Sequence, residues 1–147
     1  MKVFSEEWAK AYEKALSSNE DYRAAASWWE GDFIFTIEPS GPLKNVIHMW
    51  VGLYHGDCTG GKVLKEDEKF QLIKAGEKAP EGVIGVEFIY SANYDNWVKI
   101  LKQEVDPIRA LLSGQAKLQG DMAKVMRATK AAQELVITTT IIDTEFL

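Results

Sequence analysis

The spacing of apolar and polar positions divides the chain into helices, a block of strands, and helices again. Ser5 suits the N-cap of a helix in which Trp8, Ala9, Tyr12, Ala15 and Leu16 recur at helical spacing. Asn19 or Asp21 can cap a second, short helix through Ala24, Ala25, Ala26 and Trp28, ended by Gly31. The period then changes to two. Phe33, Phe35 and Ile37 alternate with Ile34, Thr36 and Glu38, a strand pattern, before the turn-forming run Pro39-Ser40-Gly41-Pro42. Asn45 to His55 predicts a second strand, with Ile47, Met49, Val51 and Leu53 on one face and Val46, His48, Trp50 and Tyr54 on the other. Gly56 to Gly61 punctuates, Lys62 to Glu66 reads as a short polar strand, and Lys69 to Lys74 as a further one. A loop from Gly76 to Gly82 leads into Val83 to Tyr90, apolar enough on both faces for a central strand.

Asn93 or Ser91 can cap the next helix, where Tyr94, Trp97, Val98, Leu101 and Val105 share a stripe. Pro107 suits the first turn of another helix, carrying Ile108, Leu111 and Leu112 and stopped by Gly114. Ala116, Leu118 and Gly120 alternate with polar residues and predict a short strand. A long helix begins at Gly120 or Asp121, with Met122, Val125, Met126, Thr129 and Gln133 inward and Lys124, Arg127, Lys130 and Glu134 outward. Val136 to Leu147 is rich in Ile and Thr, which argues against a helix and for an extended run across the body. The order of elements indicates an α+β fold, with helices packed on one face of a single sheet of about five strands. With 147 residues and no internal repeat or long linker, the chain is read as one domain over 1–147.

Composition narrows the function classes. A net charge of −5 disfavours general nucleic-acid binding, which needs concentrated Lys and Arg. The single cysteine, Cys58, rules out an internal disulfide and fits a reducing compartment. The start Met1-Lys2-Val3-Phe4 has no signal-peptide character, and no apolar run approaches the roughly 20 residues that cross a bilayer. The expectation is a soluble, cytoplasmic protein.

The most informative segment is Tyr90-Ser91-Ala92-Asn93-Tyr94-Asp95-Asn96-Trp97, followed by Asp106-Pro107-Ile108 and then Leu112-Ser113-Gly114-Gln115-Ala116-Lys117-Leu118-Gln119-Gly120-Asp121-Met122-Ala123-Lys124. It resembles the sterol carrier protein 2 family, in which a helix ends in a glycine, a short strand follows, and a second glycine opens the C-terminal helix. The resemblance implies a sheet of about five strands with helices on one face and a hydrophobic tunnel between the layers. It implies lipid binding without catalysis and without a cofactor. The chain departs from the family at its end: Thr144-Glu145-Phe146-Leu147 is no peroxisomal signal.

Within that frame, strand and helix phase assign the tunnel lining to Trp28, Phe35, Met49, Trp50, Phe88, Trp97, Leu101, Leu112, Met122 and Met126. Any one of these could be plain core. Together they are many bulky groups for a small domain, and Met122 and Met126 are adaptable liners. At about 0.8 kcal/mol per buried CH₂, roughly ten methylenes offer on the order of 8 kcal/mol, which corresponds to about micromolar affinity before association costs. Lys117, Lys124, Arg127 and Lys130 form a basic group suited to a coenzyme A phosphate or an anionic head group, or else a solvated helix face.

His48, His55, Asp57 and Cys58 lack metal-ligand spacing, and no base is placed for Cys58 as a nucleophile. Gly60-Gly61-Lys62 is too short for a phosphate loop. The leading expectation is a carrier of fatty acids, fatty acyl-CoA or sterol-like lipids, making transient membrane contact, as a monomer or homodimer. The alternative is a docking module serving an acyl-CoA-handling enzyme.

Overall fold

Ser5 caps α1 (Glu6–Ser18) by accepting the Trp8 N–H, and the buried residues of this helix are the predicted stripe from Trp8 to Leu16. The computed structural model describes residues 1–147. Asn19 caps α2 (Glu20–Ala25) through the Tyr22 N–H. Its amide also donates to Thr138 Oγ1 at 2.8 Å and to Glu134 Oε1 at 3.3 Å, tying the first two helices to the far end of the chain.

The main sheet is built from β1 (Phe33–Glu38), β2 (Ile47–Tyr54), β3 (Asp57–Val63), β6 (Phe88–Asn93) and β7 (Lys117–Gln119). They lie in the order β3-β2-β1-β6-β7. Within this sheet only the β1–β6 pair is parallel, with Phe33, Phe35 and Ile37 beside Phe88, Tyr90 and Ala92. These side chains join Met49, Val51 and Leu53 in the core shared with the helices. The sheet is therefore mixed and the class α+β.

β1 is buried on both faces, because the outer face is also covered. The chain folds a second, two-stranded parallel sheet from β4 (Lys69–Leu72) and β5 (Val83–Val86). With it, Ile34, Val86 and Ile89 form a small outer core that packs Trp50, Leu64, Phe70 and Ile84. The apolar run from Val83 to Tyr90 is thus two strands rather than one. It breaks at Glu87: the first half pairs with β4, the second with β1 and β7. At the break, Gly120 comes so close that a Cβ there would lie 2.5 Å from the Glu87 carbonyl oxygen, and the Glu87 side chain is held by Lys124 at 3.0 Å.

The stretch read as glycine punctuation is strand β3. It forms a tight hairpin with β2, with His55 and Gly56 at positive φ in the turn. Strand pairing survives the glycines because the Trp50 ring occupies the space their side chains would take: a Cβ on Gly60 would sit 2.6 Å from Trp50 Cζ3.

After β6, Asn93 caps α3 (Tyr94–Leu101) and Asp106 caps α4 (Pro107–Ser113). The predicted long helix is broken at Ala128 into α5 (Met122–Arg127) and α6 (Thr129–Ile137), which face inward with Val125, Ala128, Ala131 and Val136. Glu134, read as outward, is buried and accepts from Lys130 Nζ at 2.9 Å. The tail also departs from expectation. Thr138–Ile141 continues as a 3₁₀ turn, its threonine hydroxyls donating to backbone carbonyls one turn back. Only the last residues run extended, with Glu145 paired beside Lys2.

Gly60→Ala is expected to cost about 1–3 kcal/mol, read as a lower Tm, because it forces Trp50 from its seat. In a Trp50→Leu background the same change is expected to cost much less, a coupling that thermal melts of the double-mutant cycle measure.

Candidate functional site

The helix face of the sheet does not meet the helices everywhere. Phe33, Phe35, Met49 and Tyr90 form the floor of a cavity between the layers. Phe4, Trp8 and Tyr12 close one side, and Trp97, Ile100 and Leu101 the other. Pro107 and Ile108 of α4, Val125 of α5, and Ala132, Leu135 and Val136 of α6 cover it, with Thr139 at one end. Of the 17 lining residues 15 are hydrophobic, and no polar atom faces the space, so the cavity favours hydrocarbon over water.

That dryness has a specific cause. Four lining aromatics carry a polar atom, and each atom is already paired within the protein. Trp97 Nε1 donates to the Thr36 carbonyl at 2.9 Å and Trp8 Nε1 to Thr144 Oγ1 at 2.9 Å. Tyr90 Oη donates to the Pro107 carbonyl at 2.7 Å and Tyr12 Oη to the Leu135 carbonyl at 2.9 Å. Burial raises both phenols above the ordinary tyrosine value, for Tyr90 with a further push from Asp106, so both stay neutral donors. The rings themselves interlock: Trp97 meets Phe35 edge-on at 5.5 Å, and Trp8 stacks on Tyr12 at 5.5 Å.

The space is about 60 Å³, and a second apolar pocket of about 20 Å³, beneath Trp29 and Leu53, shares Phe33, Val125, Ala132 and Leu135 with it. Two polar-edged surface pockets adjoin it. One, of about 200 Å³, shares Ile100, Pro107 and Val136 with the cavity and adds Gln103, Asp106 and Gln133. The other, of about 230 Å³, shares Leu101 and Thr139 and adds Lys102, Thr144 and Phe146. A cleft of about 540 Å³ lies apart, at the end of β4, and is edged by Lys74, Glu77, Glu87, Asp121 and Lys124.

Of the residues assigned to the lining from sequence, Phe35, Met49, Trp97 and Leu101 lie on the cavity wall. Phe88 is buried on the same sheet face, stacked on Phe33 at 5.0 Å, but beyond the cavity's end. Trp50 is on the outer face with Ile34 and Val86. Trp28 is 45% exposed, since α2 ends early and the turn delivers Trp29 inward instead. Leu112 is 71% exposed on a helix of only two turns, whose buried positions are Pro107, Ile108 and Ala110. Met122 and Met126 face solvent because the inward stripe of α5 and α6 runs through Val125, Ala128, Ala132 and Leu135. The inward stripe of α5 and α6 mixes Val125, Ala132, Leu135 and Val136 on the cavity wall, so the methionines are not needed there. Trp8, Tyr12 and Tyr90 are legible as inward-facing, but nothing in their spacing separates cavity wall from solid core.

The basic residues do not converge on the cavity. Lys124 is held by Glu87, lies 4.9 Å from the Trp29 ring centroid and donates to the Glu30 carbonyl. Lys130 pairs with Glu134, which raises its amine above the ordinary lysine value. Lys117 and Arg127 are exposed, and none of the four edges the cavity or the two pockets beside it. His48 pairs with Thr36 at 2.8 Å and is held below its ordinary value by burial, while His55 pairs with Glu30. No cluster of three or more His, Cys, Asp or Glu is arranged to hold a metal ion. No helix is long and apolar enough to cross a membrane.

The family model of the SCP-2 sterol transfer family matches residues 12–133. A crystal structure of sterol carrier protein 2 superposes with a TM-score of 0.77 at 29% identity, covering 95% of this chain and 98% of that one. A conserved hypothetical protein of Thermus thermophilus, suggested to be a sterol carrier protein, gives 0.75 at 30% identity over 95% and 88% of the two chains. The apo sterol carrier protein 2 of Yarrowia lipolytica shares the fold, at 0.52 and 12% identity over 90% and 88%. No curated protein matches the chain. With a family match across most of its length and a dry cavity between sheet and helices, this chain belongs to the SCP-2 sterol transfer family of lipid-binding domains.

Proposed function

We propose that the protein is a carrier that holds the hydrocarbon part of a fatty acid, fatty acyl-CoA or sterol-like lipid in this cavity and releases it unchanged. The observation that carries this reading is the wall itself: a central space in which every polar atom of the lining aromatics is already paired within the protein. Such a wall offers transfer energy to any methylene that enters and no hydrogen bond to water.

The closed cavity of about 60 Å³ is far below the ~300–1,000 Å³ of a typical ligand pocket. On this reading, loading moves α4 and α6 outward from the sheet, while Lys124 keeps α5 tied to Glu87. Their construction suits that motion. α4 spans seven residues, and Ala128 carries no side-chain cap for α6. The energy of inserting the chain offsets the cost of lifting the cover, so the site opens only around a ligand.

Release of the lipid unchanged is supported by the placing of the one thiol away from the cavity wall. Cys58 lies on β3, where burial pushes its thiol up to about 11, leaving almost no thiolate at neutral pH. The alternative reading, a docking module, draws on the exposed Leu112, Met122 and Met126, which leave apolar surface on α4 and α5.

Native mass spectrometry of the protein with palmitate, palmitoyl-CoA or 1-monopalmitoylglycerol is expected to show a one-to-one adduct. Ala132→Leu, which fills the cavity from α6, is expected to weaken that adduct about tenfold or more while the Tm changes little. A wild-type protein that takes up none of the three at tens of micromolar ligand contradicts the carrier reading and favours docking. Iodoacetamide is expected to alkylate native Cys58 at least about tenfold more slowly than the urea-unfolded chain at the same pH, followed by mass. Equal rates would contradict its burial.

A further inference from the structure

We infer that Asn19 and Glu134 form a polar latch that holds α6 over the cavity, and that its release, with α6 turning about Ala128, sets how readily lipid enters. The inference rests on the carrier reading and concerns the regulation of its site.

The residues of α6 serve three neighbours. Ala132, Leu135 and Val136 line the cavity. Gln133 faces α4, where its Nε2 donates to Asp106 Oδ2 at 2.8 Å, so that α4 and α6 are joined. Glu134, with Thr138 one turn on, faces the junction of α1 and α2. Asn19 forms that junction. Its N–H ends α1 by donating to the Leu16 carbonyl at 3.2 Å, and its Oδ1 caps α2 by accepting the Tyr22 N–H. The amide nitrogen is left for α6, and it donates to Thr138 Oγ1 at 2.8 Å and to Glu134 Oε1 at 3.3 Å. Asn19 thus ties three helices together.

The other end of the cover is fixed. Lys124 Nζ holds α5 to Glu87 Oε2 at 3.0 Å and to the Glu30 carbonyl. Between Lys124 and Glu134 the helix is broken at Ala128, which sits at φ −100 and ψ 28 and gives α6 no side-chain cap. Element-terminal residues of this kind absorb the rotation when a cover swings.

The carboxylate makes the latch releasable. The Glu134 side chain is only 6% exposed, so closing α6 takes a charge out of water. Lys130 Nζ at 2.9 Å and the long bond from Asn19 offset part of that cost. Desolvating a charge can outweigh what its partners return, and a well-packed apolar side chain in its place is often the more stable choice. Glu134 therefore holds α6 less firmly than a leucine would, and swinging α6 out returns the carboxylate to water.

Because the closed cavity of about 60 Å³ is too small for a lipid, the loaded protein has α6 displaced. The cost of releasing the latch then lowers the affinity, and stability and affinity respond to it in opposite directions. A residue with a purely structural role would instead weaken binding as it lowers Tm.

Uptake of cis-parinarate, a fatty acid that fluoresces in apolar surroundings, is followed by stopped flow. Hydrogen exchange of the α6 amides and thermal melts are measured beside it. Asn19→Ser keeps an N-cap for α2 but shortens the reach to α6. It is expected to lower Tm and speed α6 exchange while raising the uptake rate and the affinity about threefold or more. Glu134→Leu is expected to leave Tm unchanged or raised, to slow α6 exchange and to slow uptake about tenfold, and it carries the test alone if Asn19→Ser does not fold. Affinity falling together with Tm in Asn19→Ser, or wild-type uptake and α6 exchange in Glu134→Leu, would overturn the latch and leave the carrier intact. A wild-type protein that takes up no parinarate would overturn the carrier reading and the latch's role in loading with it.

Discussion

Trp8, Tyr12, Tyr90 and Trp97 each bring a polar atom to the edge of the central cavity, and each atom is already paired within the protein. Leaving one of these buried donors unpaired would cost about 1–3 kcal/mol and invite water into the space. The partners are spread over the whole molecule: a strand carbonyl at Thr36, the start of α4 at Pro107, α6 at Leu135 and the tail at Thr144. Of the four bonds, that from Tyr90 to the Pro107 carbonyl joins the floor of the cavity to its cover, and the others tie its sides to the sheet, to α6 and to the tail. Two of those partners, Pro107 and Leu135, belong to the helices that must move for a ligand to enter. Opening therefore tests the bonds that make the closed state apolar, and a bound hydrocarbon must supply the difference.

The outer face of the sheet is covered too, which braces the floor of the cavity. The small β4–β5 sheet buries Ile34, Val86 and Ile89, and the break at Glu87 lets one apolar run serve both layers. Lys124 secures that break by pairing with Glu87 and by lying over Trp29 and Phe88. A residue with the sequence character of a head-group anchor thus acts as a fastening between α5 and the sheet.

Much of the fold was legible because local signals agree with tertiary demand. Ser5, Asn93 and Pro107 mark helix starts, the stripe of α1 is unbroken, and the alternation in β1 and β2 separates their faces correctly. The family resemblance in Tyr90 to Lys124 lies within the segment matched by the family model. What was not legible has physical causes. The run Val83 to Tyr90 is uniformly apolar, so nothing in its period shows that its halves pair with different sheets. The glycines of β3 suggest a loop until Trp50 is seen filling their place. The tail's threonines, poor helix formers in isolation, satisfy themselves on the preceding carbonyls and extend the helix. The cavity was the least legible feature, because the bulky residues that wall it have the same spacing as residues of a solid core. Ala128 and Ala132 mark the inward stripe, whereas Met122 and Met126 carry the size that a sequence reading associates with lipid.

Those two kinds of residue permit a direct test. The chain has four methionines, of which Met49 forms the cavity floor while Met122 and Met126 lie on the surface of α5. With ¹³C-methyl methionine and an unlabelled lipid bound, isotope-filtered NOE spectra report which methyl groups touch the hydrocarbon chain. The account predicts contacts from the chain to the Met49 methyl and none to Met122 or Met126. Contacts to Met122 and Met126 with none to Met49 would place the lipid on the outer surface and contradict the internal cavity as its site.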